Sequence, residues 1–391
     1  MVIAGPSRII ILSAVFLAAS AYGITFPYLS ARLEAWHTPG YLIGLNAAMP
    51  ALGWLLGSLF MPWLQVRVET RVMTASALVL AALVWIGFGM LPSYPAWTVL
   101  RIFFGGAMGL FFRTVEFGLN AASSPAARGR TFGDYNLAFG LGIASGAAIQ
   151  PLLGGNEFLT FALVSSVLCI AAWPAYLWQI EAAPFVTRGS LQAWRNILIA
   201  TPLPLIIGFS YGFLEDIPAY LFSIYALRNG LGADIAAYTL TAAALGSISF
   251  PLMLGRSADR IGTRSALIIA AAGTVSFLLT LPVSTASSAL FLADIFMCCG
   301  FMASLYTLSL VLIGQHWAGT GLGVANAAFG ATYALGGLLG PVVNGAAIDL
   351  LQSNGLVVSA VSVVLAVLVL TVFSKTRHSP PATSSAHEDC R

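Results

Sequence analysis

Long apolar runs, each broken by a short polar stretch, recur from one end of the chain to the other. A bilayer's hydrocarbon core is about 30 Å thick and a helix rises about 1.5 Å per residue, so roughly 20 apolar residues cross it. By that measure twelve runs qualify, at residues 9–30, 41–62, 71–91, 96–117, 131–154, 157–180, 200–227, 234–255, 264–284, 287–314, 321–348 and 354–374. Lipid offers the backbone no hydrogen-bond partner, so each run is predicted to be an α-helix that satisfies its own N–H and C=O groups. The first run follows Arg8 and continues to about Leu29 with no small-residue cleavage site, which reads as a membrane helix rather than a removable leader.

Composition agrees. Of 391 residues, 59% are hydrophobic and 8% charged, against roughly 45–50% and 25% in soluble domains. The expected surroundings are therefore a lipid bilayer. The few charges are distributed unevenly. Loops after spans 2, 4, 6 and 8 carry Arg67, Arg71, Arg128, Arg130, Arg188, Arg195, Arg256, Arg260 and Arg264, and the termini add Arg8, Lys375 and Arg377. The opposite loops carry only Arg32 and Arg228. The positive-inside rule then puts both termini in the cytoplasm, with the chain multi-pass in the cytoplasmic (inner) membrane. The net charge of +3 reflects this asymmetry and gives no hint of nucleic-acid binding. Cys169, Cys298 and Cys299 fall inside apolar runs and Cys390 in the tail, with neither metal-ligand spacing nor a disulfide framework. No G-x-S-x-G, H-E-x-x-H or P-loop occurs, so no catalysis, metal or cofactor is expected.

One longer connection, 181–199, holds Pro184, Gly189 and two arginines and divides six spans from six. The domains expected are 1–180, the 181–199 linker, 200–378, and a disordered polar tail over 379–391. The halves repeat. Arg67-Val-Glu-Thr-Arg71 aligns with Arg260-Ile-Gly-Thr-Arg264, and Arg101-Ile-Phe-Phe with Asp294-Ile-Phe-Met. Tyr22-Gly23 falls beside Tyr211-Gly212, followed by Pro27 and Pro218, and Gly146 to Pro151 beside Gly337 to Pro341. Four such matches in order argue for a duplicated six-helix unit.

Residues Gly255 to Arg264 pack four charges into ten positions between two apolar runs. A charge deep in lipid costs roughly 2.5–3.5 kcal/mol on the lenient insertion scale, so this stretch is a short aqueous loop. It resembles the loop signature of the major facilitator superfamily, G-x-x-x-D-R-x-G-R/K-R/K. Gly255, Asp259, Arg260, Gly262 and Arg264 are in place, and Thr263 stands where a base is usual. The first-half loop has Val66 and Glu69 at the aspartate and second glycine positions. The resemblance implies an all-α membrane protein of twelve transmembrane helices in two pseudo-symmetric six-helix bundles. It also implies a cavity lined by spans 1, 4, 7 and 10, and a loop that gates the cytoplasmic side. Asp259 is expected to accept from a first-half helix N-terminus near span 5, and the arginines to meet carboxylates or backbone carbonyls.

Charges within the spans are the candidate chemistry, since an intramembrane ionisable group is a functional candidate by default. Glu215 and Asp216 lie near the middle of span 7, just before Pro218. Adjacent carboxylates in low dielectric cannot both ionise easily, so a proton-carrying or cation-reading role is expected, and Pro218 predicts a kink. Arg101 opens a run similar to a second superfamily motif, R-x-x-x-G-x-x-x-G, with Gly105 and Gly109 as a close-packing face. That likeness implies a cavity-facing arginine linked to proton coupling; the alternative is an arginine snorkelling to headgroups. Asp294, its repeat mate, could pair with it across the pseudo-twofold axis. Glu116 is expected to join Arg67 or Arg71 in a cytoplasmic charge cluster. Span 5 carries Gly146 and ends Gln150-Pro151-Leu-Leu-Gly154-Gly155, which resembles an exporter-associated motif ending G-P-x-x-G-G, with Gln150 replacing one glycine. Span 11 repeats the close-packing pattern with Gly340 and Pro341.

The function expected is a monomeric secondary transporter moving a small amphipathic or aromatic molecule by alternating access, most simply by proton-coupled efflux. A proton symporter for uptake, or a transporter-like sensor without net transport, are the alternatives.

Overall fold

The structure, a computed structural model, describes residues 5–123, 128–178, 191–317, 319–352 and 354–373. Arg188, Lys375, Arg377, Cys390 and the 379–391 tail lie outside them, as does the side chain of Arg128. The first six spans are α1 (Gly5–Ala35), α2 (Gly40–Gln65), α3 (Thr70–Met90), α4 (Tyr94–Ala122), α5 (Arg128–Ile149) and α6 (Glu157–Leu177). A short helix, α7 (Leu191–Ala200), follows. The seventh span is built of α8 (Pro202–Asp216), a π turn over Ile217–Leu221, and α9 (Phe222–Arg228). The remaining five are α10 (Ala233–Ile261), α11 (Thr263–Ser284), α12 (Ser288–His316), α13 (Gly319–Leu351) and α14 (Asn354–Phe373). Twelve of these segments are long and apolar enough to cross a membrane, as the hydrophobic pattern predicts.

The helices stop where the sequence makes continuing them costly. Gly262 adopts φ +85° between α10 and α11, a backbone region open mainly to glycine, which explains the second glycine of the loop signature. Asn156 accepts from the Leu159 N–H at 3.1 Å and so caps α6. α5 stops at Ile149, a 3-10 turn covers Gln150–Leu153, and Gly154 and Gly155 follow with positive φ. Within the expected 181–199 connection, residues 191–199 belong to α7, which packs on α13 and α8. Pro218 produces a π turn, because its ring cannot sit over the Leu214 carbonyl in a regular α-helix.

The same pairings build both halves. In the first half α1 packs on α5 and α6, α2 on α4, and α3 on α4 and α6. In the second, α8 packs on α13 and α14, α10 on α12, and α11 on α12 and α14. The glycines follow suit. A β-carbon on Gly146 would fall on the Ser20 carbonyl, and one on Gly336 on the Phe209 carbonyl. Gly23 meets Ile143 in the same way that Gly212 meets Tyr333. Gly105 abuts the Pro50 backbone, Gly109 the Trp54 ring, and Gly340 the Phe213 backbone. Absent side chains let these helix backbones touch where lipid supplies no hydrophobic drive.

Between the halves, α2 packs on α13 and α5 on α10. Gly44 lies against the Pro341 carbonyl, and Gly40 and Gly345 lie against each other. Asp349, at the end of α13, accepts from the Gly40 N–H at 2.8 Å and the Tyr41 N–H at 2.9 Å at the start of α2. Arg228 donates twice to Glu34, at 2.8 and 3.1 Å, and approaches Asp349 at 3.6 Å. These contacts clamp the end of the molecule opposite the arginine-rich loops, here called the far end; the other is the basic end.

Candidate functional site

Between the halves, at mid-bundle, α8 presents Glu215. Its side chain is exposed although it lies halfway along a membrane span, so it opens onto the space between the bundles. Tyr211, one helical turn earlier, shares its face of α8. The Tyr333 hydroxyl on α13 donates to Glu215 Oε2. The rings of Tyr211, Tyr306 and Tyr333 stand 5.1 to 6.1 Å apart between centroids, so three helices of one half converge beside this carboxylate. No arginine or lysine comes within ion-pair distance of Glu215 among the described residues.

Asp216 is half-buried and forms no ion pair among the described residues. Arg101 does not snorkel. It is 1% exposed, donates to the Tyr220 hydroxyl at 2.7 Å and stacks over that ring at 4.7 Å. Tyr220 belongs to the π turn, so this bond joins the first half to the irregular backbone of the second. Phe26 extends the contact, with Tyr22 on one side at 4.7 Å and Tyr220 on the other at 4.9 Å. Aromatic rings and Arg101 thus roof the cavity on the far side.

Two expected pairings are corrected. Asp294 does not pair with Arg101: it is buried within the second half and accepts from Thr280 at 2.7 Å, while Arg101 is occupied by Tyr220. Glu116 does not join Arg67 or Arg71. It faces α5, where Tyr135 donates to it at 2.8 Å. Arg71 instead binds Glu69 at 2.6 Å, and Arg67 folds over Trp63. The physical reason is reach, since both arginines have a partner within four residues along the chain. Arg113, next to Glu116 on α4, lies over the Trp54 ring at 5.5 Å.

At the basic end Asp259 and Arg260 are exposed. Arg264 donates to the Thr371 and Val372 carbonyls at 3.1 and 2.6 Å, closing the end of α14 in its own half. A β-carbon on Gly255 would meet nothing within 4 Å. The contacts between the halves given above lie at the far end and mid-bundle, and among the described residues the Asp259 side chain makes no hydrogen bond or ion pair with the first half. Sequence reasoning missed the clamp. Its signal was available, for Glu34 and Asp349 are unmatched acids at span ends near Arg228, but nothing along the chain says which acid an arginine meets.

Two six-helix bundles of one internal design, meeting across buried charged and aromatic side chains at mid-bundle, have the architecture of a solute transporter. The chain belongs to the Major Facilitator Superfamily, whose model matches residues 11–234 and 204–389. It is 28% identical over 378 residues, spanning 94% of this chain and 95% of the relative, to an uncharacterized MFS-type transporter, YfkF, of Bacillus subtilis (strain 168). Its fold is similar to a mutant of the nucleoside transporter NupG, at a TM-score of 0.77, 12% identity and coverage of 94% and 99% of the two chains. It is also similar to a D-xylose-proton symporter, at 0.72, 14% identity and coverage of 94% and 96%.

Proposed function

We propose that this chain is a proton-coupled exporter of a small amphipathic or aromatic organic molecule. It works as a monomer in the cytoplasmic membrane, with both termini on the cytoplasmic side. Residues 1–180 and 200–378 are the two bodies that rock about the cavity. The observation that carries the reading is Glu215, a carboxylate at membrane mid-depth, open to the cavity and free of any basic partner among the described residues. With no histidine in the cavity, a carboxylate is the group able to load and release a proton there. Asp216 and Asp294 are the next candidates, and Arg101 holds the roof. Efflux is supported by the exporter-like end of span 5.

When the basic end closes, Asp259 meets a helix N-terminus of the first half near span 5, where the helix dipole favours a negative charge. Arg260 and Arg264 then share the contacts across that end with Arg67 and Arg71. A second reading, proton-driven uptake, is kept by the likeness of fold to a D-xylose-proton symporter. The test is proton movement in reconstituted vesicles across a compound panel under an imposed pH gradient. Proton and substrate moving in opposite directions supports efflux, and parallel movement supports uptake. Substrate flux that is unchanged when the gradient collapses would sink proton coupling. No flux for any compound would favour a sensor.

A further inference from the structure

We propose that Glu215 with Tyr211, Tyr306 and Tyr333 forms a recognition site for an organic ammonium group, so that the solute carried is a monovalent organic cation with an apolar body. This rests on the transport reading above and specifies its substrate class.

Three observations point to a cation. Glu215 keeps one carboxylate oxygen uncommitted, since the Tyr333 hydroxyl donates to Oε2 and no guanidinium or ammonium of the chain reaches either oxygen among the described residues. The three tyrosines, on α8, α12 and α13, are each partly exposed and cluster beside that carboxylate. The negative face of an aromatic ring attracts a cation, and does so more strongly where water is scarce. Neither arginine of α4 neutralises Glu215: Arg101 is held by the hydroxyl and ring of Tyr220, and Arg113 lies over the Trp54 ring of α2.

The shape of the site argues for an ammonium rather than a metal ion. Calcium takes six to eight oxygen ligands and magnesium an octahedron of them. Here one carboxylate oxygen is free, and the remaining surface is ring. Rings suit a weakly hydrated ammonium that sheds water readily and offers C–H groups to π faces.

The test is calorimetric titration of the full chain in nanodiscs, without a gradient. The probes are benzyltrimethylammonium and hexyltrimethylammonium, with neopentylbenzene, the neutral isostere of the first, and phenylacetate. The ammonium probes should bind at least about tenfold more tightly than the neutral isostere, and phenylacetate not measurably. Glu215→Gln should weaken the ammonium probes about tenfold or more while leaving the isostere unchanged. Tyr306→Phe keeps the ring and should bind as the parent does, whereas Tyr306→Leu should bind severalfold more weakly. Equal affinity for the cation and its isostere, tighter binding of phenylacetate, unchanged binding by Glu215→Gln, or no binding of either ammonium probe would overturn the proposal. Because no gradient is present, a protein that binds ammonium but moves no protons sinks the coupling reading alone. One that couples protons to solute flux but ignores charge sinks this site alone.

Discussion

Among the described residues Glu215 has one hydrogen-bond donor, the Tyr333 hydroxyl, and much of the proposed mechanism turns on that carboxylate. Glu215→Gln keeps size and hydrogen bonding but cannot release a proton. It should abolish gradient-driven flux while leaving solute exchange measurable. Asp216→Asn should do less, because Asp216 is only half-exposed whereas Glu215 is exposed. If both variants keep full gradient-driven transport, coupling lies elsewhere, and Asp294 is next to test. A hydrogen bond to a charged group contributes about 1.5–3 kcal/mol. Tyr333→Phe should therefore change half-saturation for solute or proton by about tenfold, toward the low end because Glu215 is exposed. A change below twofold would mean that the tyrosine does not tune the carboxylate. The importance of Glu215 was legible in the sequence, since a charge halfway along an apolar run demands a reason. Tyr333 was not legible as its partner, because the two are brought together only by the packing of α8 against α13.

At the scale of the helix, glycines of similar appearance in the sequence do different work. Gly146 and Gly255 both belong to recognisable motifs. Gly146 lets α5 touch the backbone of α1, while Gly255 faces open space in this state. Overpacking a tight contact costs about 1–3 kcal/mol, and glycine inside a helix gives away about 1 kcal/mol against alanine. Gly146→Ala should therefore lower the melting temperature of the purified protein by several degrees, and Gly255→Ala should leave it level or raise it. Equal losses at both sites would show that the close approach of α1 and α5 is not what Gly146 provides. Helix count and approximate bounds were readable because lipid enforces length and apolarity. The π turn was readable only as some irregularity at Pro218. Its form depends on the neighbours packed against it, α1, α10 and α13, and Tyr220 meets Arg101 of α4 only through the folded bundle.

For the whole molecule the question is which end is shut. Here the far end is held by Asp349 on the N-terminal amides of α2 and by the Glu34–Arg228 pair, with Arg228 about a quarter exposed. Loss of a helix cap costs about 1 kcal/mol, equivalent to roughly a fivefold shift in an equilibrium. Spin labels at Thr38 and Leu351 report the separation of the halves there. Asp349→Ala should enlarge the population with long separation by about that factor. An unchanged distance distribution would mean that the glycine contacts of α2 and α13 suffice. At the basic end, Asp259→Asn should impair transport far more than Val66→Asn, because the first-half loop has no aspartate to lose. Equal effects would remove the special role of the second loop.

The sequence by itself determined the class of fold, the number of spans, the internal repeat and the loop signature. Each follows from constraints that act locally: the price of a charge or an unpaired backbone group in lipid, the length of a helix across it, and turns that need glycine. Tertiary structure alone decided the partners. It gave Arg101 to Tyr220 rather than Asp294, Glu116 to Tyr135 rather than Arg67 or Arg71, and Asp349 to α2 across the two halves. A side chain's charge fixes that it needs a counterpart in low dielectric. Which counterpart it finds depends on helix rotation and crossing, and these are set by where backbones can touch.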